Sequence, residues 1–178
     1  AGSGALLWQH PHSVPGWAVG ASPVFRDTSI YVSNSDKDVG NVFRLDIGGD
    51  GPRQVWVCDM GNTHNGNIVC VDGMVFGSRK RNLKGWMGVS AETGQTLASD
   101  MSLNSGSVIY ADGRFYCFTD QGVLMLVDVT DGAVKTVGSV QVAKTKGDGW
   151  AHPVICHGRL YVRYHDQLTC YDIRQERR

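Results

Sequence analysis

The sequence predicts an all-β protein assembled from repeated four-stranded antiparallel sheets, and three observations predict it. Four segments repeat one pattern of apolar run, two-residue turn and apolar run. A second set of hairpins lies between them, and no stretch of helical period intervenes.

The first copy is Pro23-Val24-Phe25-Arg26-Asp27-Thr28-Ser29-Ile30-Tyr31-Val32, and the second runs from Ile68 through Val71-Asp72-Gly73-Met74 to Phe76. The third is Val108 to Tyr116 around Asp112-Gly113, and the fourth Pro153 to Val162 around His157-Gly158. Asp-Gly is a strong hairpin signal, because a type I′ turn needs positive φ at both central residues. Thr28 replaces the glycine in the first copy, so that turn is expected to be of another type. The turn anchors at 28, 73, 113 and 158 stand 45, 40 and 45 residues apart. Between them, Val89 to Leu97 matches Val127 to Val134, and Leu45 to Gly51 takes the same place in the first unit with an expected longer, glycine-rich turn. Two hairpins per unit of ~40–45 residues give four strands, the size of a β-propeller blade.

The expected division is an outer strand of a preceding blade and a linker over 1–21, blades over 22–65, 66–105 and 106–150, and an incomplete last blade over 151–178. Ala1-Gly2-Ser3-Gly4-Ala5-Leu6-Leu7 parallels Ala91-Glu92-Thr93-Gly94-Gln95-Thr96-Leu97, and so reads as a turn leading into an outermost strand. Leu168 to Arg174 reads as a third strand without a fourth. A terminal strand could therefore complete the last blade, across the ring or across a subunit interface. An open arc of about four blades would expose two apolar faces. It is expected to belong to a larger ring of about eight blades, to pair with a second copy, or to close as a four-bladed ring.

Composition excludes several classes. Lys+Arg and Asp+Glu each number 17, so no basic excess points to nucleic acid, and no run approaches the ~20 apolar residues of a membrane span. The five cysteines (Cys58, Cys70, Cys117, Cys156 and Cys170) form no CxxC pair and read as free apolar thiols. No GxSxG, GxxxxGK[ST] or GxGxxG motif occurs. His10 and His12 stand two apart, while His152 and Cys156 on an extended chain would lie about 13 Å apart, too far to share one ion. No metal site is expected.

The A-x-x-G-x-x-L/W element and the stretch Trp150-Ala151-His152-Pro153-Val154 to Arg163 resemble the quinoprotein-like, or PQQ-binding-like, repeat propellers. That group includes bacterial outer-membrane assembly lipoproteins and a branch named after polyvinyl-alcohol dehydrogenase, to which Gly106 to Gly113 and the Trp-Ala-His-Pro-Val block bring this chain nearest. The resemblance covers essentially the whole chain and implies rings of about eight blades, often exported from a bacterium into the periplasm. It also implies an alternative function, part of a PQQ-dependent alcohol or polyvinyl-alcohol dehydrogenase holding calcium, a catalytic Asp and often two adjacent cysteines. No two cysteines here are adjacent, and Asp46, Asp72, Asp112 and Asp128 fall at repeat positions that turn and strand-end chemistry explains.

The leading expectation is a non-catalytic binding or scaffold module without cofactor, recognising a protein, peptide or glycan through loops at the channel mouth. Copy by copy, Ser22, Asn67, Ser107 and His152 precede the innermost strands, with Trp17, His64, Asn65 and Trp150 upstream. The two tryptophans could instead pack between blades. A basic loop carrying Arg79, Lys80, Arg81 and Lys84 is a second candidate, or else a solvated hairpin tip.

Overall fold

A computed structural model describes residues 2–11, 21–34, 41–60, 66–79, 84–142 and 149–174. Blade 1 comprises β1 (Val24–Arg26), β2 (Ser29–Ser33), β3 (Val42–Gly48) and β4 (Gly51–Cys58). Blade 2 comprises β5 (Ile68–Val71), β6 (Met74–Ser78), β7 (Trp86–Ser90) and β8 (Thr96–Asp100). Blade 3 comprises β9 (Gly106–Ala111), β10 (Arg114–Thr119), β11 (Val123–Thr130) and β12 (Ala133–Gln141). Blade 4 holds β13 (Val154–Cys156), β14 (Arg159–Tyr164) and β15 (Gln167–Asp172). Strands within a blade pair antiparallel in chain order, and no helix occurs among the described residues.

The turn chemistry explains the hairpins. Asp72-Gly73, Asp112-Gly113, Asp131-Gly132 and His157-Gly158 all have positive φ at both residues, as a type I′ turn requires. In the first copy only Asp27 is left-handed, so Thr28 does change the turn. The turn between β3 and β4 is tighter than expected: only Gly49 and Asp50 separate the strands, and the other glycines join them.

First strands of consecutive blades touch one another, β1 against β5 and β5 against β9, which makes them innermost. Apolar side chains then fill the gaps between blades. Tyr31, Val42, Ile68, Val75 and Val89 pack between blades 1 and 2. Phe76, Trp86, Val108, Phe115 and Val127 pack between blades 2 and 3, and Phe118, Leu160, Val162 and Tyr164 between blades 3 and 4. Polar staples reinforce the stack. The Ala91 carbonyl of blade 2 accepts from Tyr31 Oη (3.2 Å), Trp56 Nε1 (3.1 Å) and Arg44 Nη1 (3.3 Å) of blade 1.

Each complete blade bends its outer strand with a bulge. The register between third and fourth strands slips at Arg44/Leu45, Gly88/Val89 and Leu126/Val127, leaving Val55, Leu97 and Val137 without opposite partners. All three are exposed. At the periphery β8 and β12 approach closely enough for one parallel pair, Ser99 with Ala133, which joins blades 2 and 3 into a continuous eight-stranded sheet.

Candidate functional site

The turns that join first to second and third to fourth strands lie at one end of the blades, the turn end, and the second-to-third turns and blade-to-blade connections at the other, the connection end. The connection end is where the sequence places a recognition surface. Its loops are fixed by backbone bonds: Asp120 N–H donates to Ser105 O (2.9 Å) and Gly149 N–H to Asp120 O (2.7 Å). Asn104 Nδ2 donates to Gln121 Oε1 (2.9 Å), and Gln141 Nε2 donates to Gln121 O (3.0 Å). Trp150 follows the pinned Gly149 and keeps 52% of its surface exposed, with His152 also exposed beside it. Among the described residues the tryptophans at the blade interfaces are Trp86, fully buried with Nε1 donating to Asn104 O (2.8 Å), and the half-buried Trp56.

The other expected site residues divide. Ser22 is exposed just ahead of β1. Asn67 and Ser107 serve the fold: Asn67 Oδ1 accepts the Val108 N–H (3.0 Å), and the buried Ser107 donates Oγ–H to Ala151 O (2.9 Å). Each thereby ties the start of one innermost strand to the next blade. Ser78 adds a third clip, donating to Gly106 O (2.6 Å) while accepting from Gly106 N–H (3.2 Å). Sequence reasoning missed Ser78, although its place at the end of a second strand opposite the next blade's entry is a repeat position. Trp17, His64, Asn65, Lys80 and Arg81 lie outside the described residues. Of the rest of the basic loop, Lys84 is exposed, while Arg79 is part-buried with its N–H bonded to Gly85 O (2.8 Å).

The turn end carries a cleft of about 640 Å³ between blades 2 and 3, lined by Asp72, Asp112, Asp128 and Asp131 with Tyr110 and Arg114. Its carboxylates have local tasks. Asp72, Asp112 and Asp131 hold left-handed turn positions, and Asp128 lies 3.7 Å from Arg114 Nε. Asp46, in blade 1, accepts from Arg44 Nε (2.6 Å) and Ser29 Oγ (2.8 Å), and these bonds, Arg44 first, hold its carboxyl below the usual range.

A quinone with calcium would need converging oxygen and carboxylate donors. Among the described residues no three His, Cys, Asp or Glu side chains converge as metal ligands. Asp72, Asp112, Asp128 and Asp131 line the turn-end cleft, and Asn67 and Ser107 at the connection end are engaged between blades. Burial raises the thiols, Cys58 to about 11 and the fully enclosed Cys117 well above its ordinary value, which keeps both protonated rather than nucleophilic. No helix among the described residues is long and apolar enough to cross a membrane.

No protein-family model and no curated protein matches this sequence. Solved structures do. BamB from Moraxella catarrhalis superposes with a TM-score of 0.68 at 16% identity, over 86% of this chain and 46% of its own. A europium-containing methanol dehydrogenase gives 0.63 at 13% identity, over 88% and 37%. The computationally designed Ika8 protein gives 0.62 at 14% identity, over 90% and 48%. The chain thus spans less than half the length of each of these structures. At such identities the likeness concerns architecture, and with the blade stacking above it leads to one conclusion: this chain has the β-propeller fold.

Proposed function

We propose that this chain is a non-catalytic binding module, exported to the bacterial periplasm, that recognises a protein, peptide or glycan at the connection end of its blades. Its ring is completed by further blades or by a second copy. The observation that carries the reading is Trp150: half its surface faces solvent, on a loop whose backbone is pinned at Gly149 and whose neighbours His152, Asn104 and Gln121 are polar. An exposed indole on a backbone held at Gly149 has the make-up of a binding hot spot, because it can bury large apolar area at little entropic cost. The likeness to BamB agrees with a binding module, and the likeness to a methanol dehydrogenase keeps a quinoprotein oxidoreductase as the second reading.

The test is to probe the 178-residue chain against arrayed peptides and oligosaccharides, then measure each hit with Trp150→Ala and with Arg26→Ala at the opposite end. Affinity is expected to fall tenfold or more for Trp150→Ala, which corresponds to at least ~1.4 kcal/mol, with Arg26→Ala and the melting curve unchanged. Hits indifferent to Trp150, or stoichiometric saturable binding of PQQ with calcium, overturn the proposal.

A further inference from the structure

We infer that the turn-end cleft between blades 2 and 3 takes an arginine side chain of a partner peptide, at the place where the junction of blades 1 and 2 carries an arginine of its own. The inference concerns the end of the blades opposite Trp150 and goes beyond the reading above.

The repeat makes the two junctions comparable residue by residue. Arg44 faces Tyr31 on one side and Trp56 on the other, and Gly88 faces Phe76 and Ala98 in the same register. Tyr31, Arg44 and Trp56 of blade 1 therefore correspond to Phe76, Gly88 and Ala98 of blade 2. The first three reach across their junction and converge on the Ala91 carbonyl. The second three offer none of those donors: Phe76 has no hydroxyl, Gly88 no side chain and Ala98 a single methyl. Met74 folds over Gly88, so its thioether closes the inner part of the space. The outer part stays open. Trp56 lies against the turn glycine Gly94, whereas a Cβ added at the corresponding Gly132 would meet Leu97 O at 3.5 Å, an ordinary contact. The cleft between blades 2 and 3 accordingly measures about 640 Å³, and its counterpart between blades 1 and 2 about 350 Å³.

The lining names the occupant. Val71, Met74, Leu97 and Val129 give the cleft an apolar floor, and Asp72, Asp112 and Asp131 stand on exposed turns around it. Asp128 is answered by Arg114 and faces Lys135 across its strand pair. No salt bridge among the described residues engages Asp72, Asp112 or Asp131, whose turn roles are backbone roles. Such a cleft suits a cation carried on an apolar stem. Arginine meets both demands, because its methylenes can lie on Met74 and Leu97 while its planar fork addresses carboxylates. The other junction already shows this chemistry: the Arg44 guanidinium donates to Asp46 Oδ1 (2.6 Å) and to the carbonyls of Ala91 (3.3 Å) and Glu92 (3.4 Å). Val129 and Thr130, the counterparts of Ala91 and Glu92, line the open cleft. A peptide is the source of the arginine because the cleft is larger than one guanidinium, with Leu97 (48% exposed) and Tyr110 left to meet flanking residues.

The experiment titrates acetyl-Leu-Arg-Leu-amide, its citrulline counterpart and free arginine into the isotope-labelled 178-residue chain, followed by amide resonances. Saturable shifts are expected at Asp72, Gly113 and Gly132 with the arginine peptide. The neutral citrulline peptide and free arginine should each bind roughly tenfold more weakly or worse. Asp72→Asn combined with Asp131→Asn should weaken the arginine peptide by a similar factor with the melting curve unchanged, since asparagine accepts the left-handed turn positions. If that double variant fails to fold, Asp112→Asn alone serves. Asp27→Asn removes a charge at the turn of the neighbouring cleft and should leave the affinity as it was. Equal binding of the two peptides, free arginine binding as well as the peptide, an equal loss with Asp27→Asn, or shifts centred on Trp150 would overturn the inference, and the Trp150→Ala assay stands apart from all four.

Discussion

Replacing Phe76 by alanine strikes the interface that makes this a stack of blades. Phe76 is fully buried, stacks on Trp86 with centroids 5.8 Å apart, and meets Phe115 of blade 3 at 4.3 Å. Truncating a buried phenylalanine costs about 3–5 kcal/mol, within which each aromatic pair accounts for roughly 0.5–1.5. With a urea slope of about 1–3 kcal/mol/M, the unfolding midpoint should fall by about 1 M or more, with the slope unchanged. Val137→Ala, at an exposed bulge position of the same eight-stranded sheet, should stay within about 0.5 kcal/mol of the parent. Equilibrium urea unfolding followed by circular dichroism measures both. Equal losses for the two variants would refute the claim that the energy sits between blades.

Three further outcomes follow from the same geometry. Asn67→Ala removes the acceptor of the Val108 N–H and should cost about 1–3 kcal/mol, with hydrogen exchange at the Val108 amide accelerated relative to the rest of β9. Asp46, held below the ordinary carboxylate range by Arg44 and Ser29, contributes stability that is present above pH ~4 and lost as pH falls through its lowered folded value; Asp46→Asn should flatten the acid limb of a melting-temperature profile there. Cys58, raised to about 11, favours the fold below the ordinary thiol range and loses that contribution as pH climbs towards 11, so native Cys58 and Cys117 should resist iodoacetamide at pH 8 and react only after unfolding, as mass spectrometry of labelled peptides would show.

The fold was legible because hairpin turns are local. Gly73, Gly113 and Gly158 sit at left-handed positions that favour glycine, and with Thr28 in the first copy their spacing counts the blades. Which side of a strand faces which neighbour was not legible. In β6, Val75 fills the gap towards blade 1 while the adjacent Phe76 fills that towards blade 3, so burial is nearly continuous and the period of two vanishes. The bulges at Val55, Leu97 and Val137 left no mark either, because an exposed apolar residue in an outer strand reads as part of an ordinary alternation. The candidate site was half legible. Aligning the repeats found the residues that precede each innermost strand, and it could not tell that Asn67 and Ser107 spend their polar atoms on the next blade while Trp150 keeps its surface. That distinction depends on contacts between residues some forty positions apart.

Radial stacking of sheets is tested most directly by side-chain nuclear Overhauser contacts between blades. The account predicts cross-peaks from Phe76 to Phe115 and from Phe118 to Leu160, with Val75 seen by Ile68 and Tyr31 on the opposite side of β6. Contacts instead linking Tyr31 or Val42 of blade 1 to Leu160 or Val162 of blade 4, as two sheets closed into a sandwich would give, contradict it.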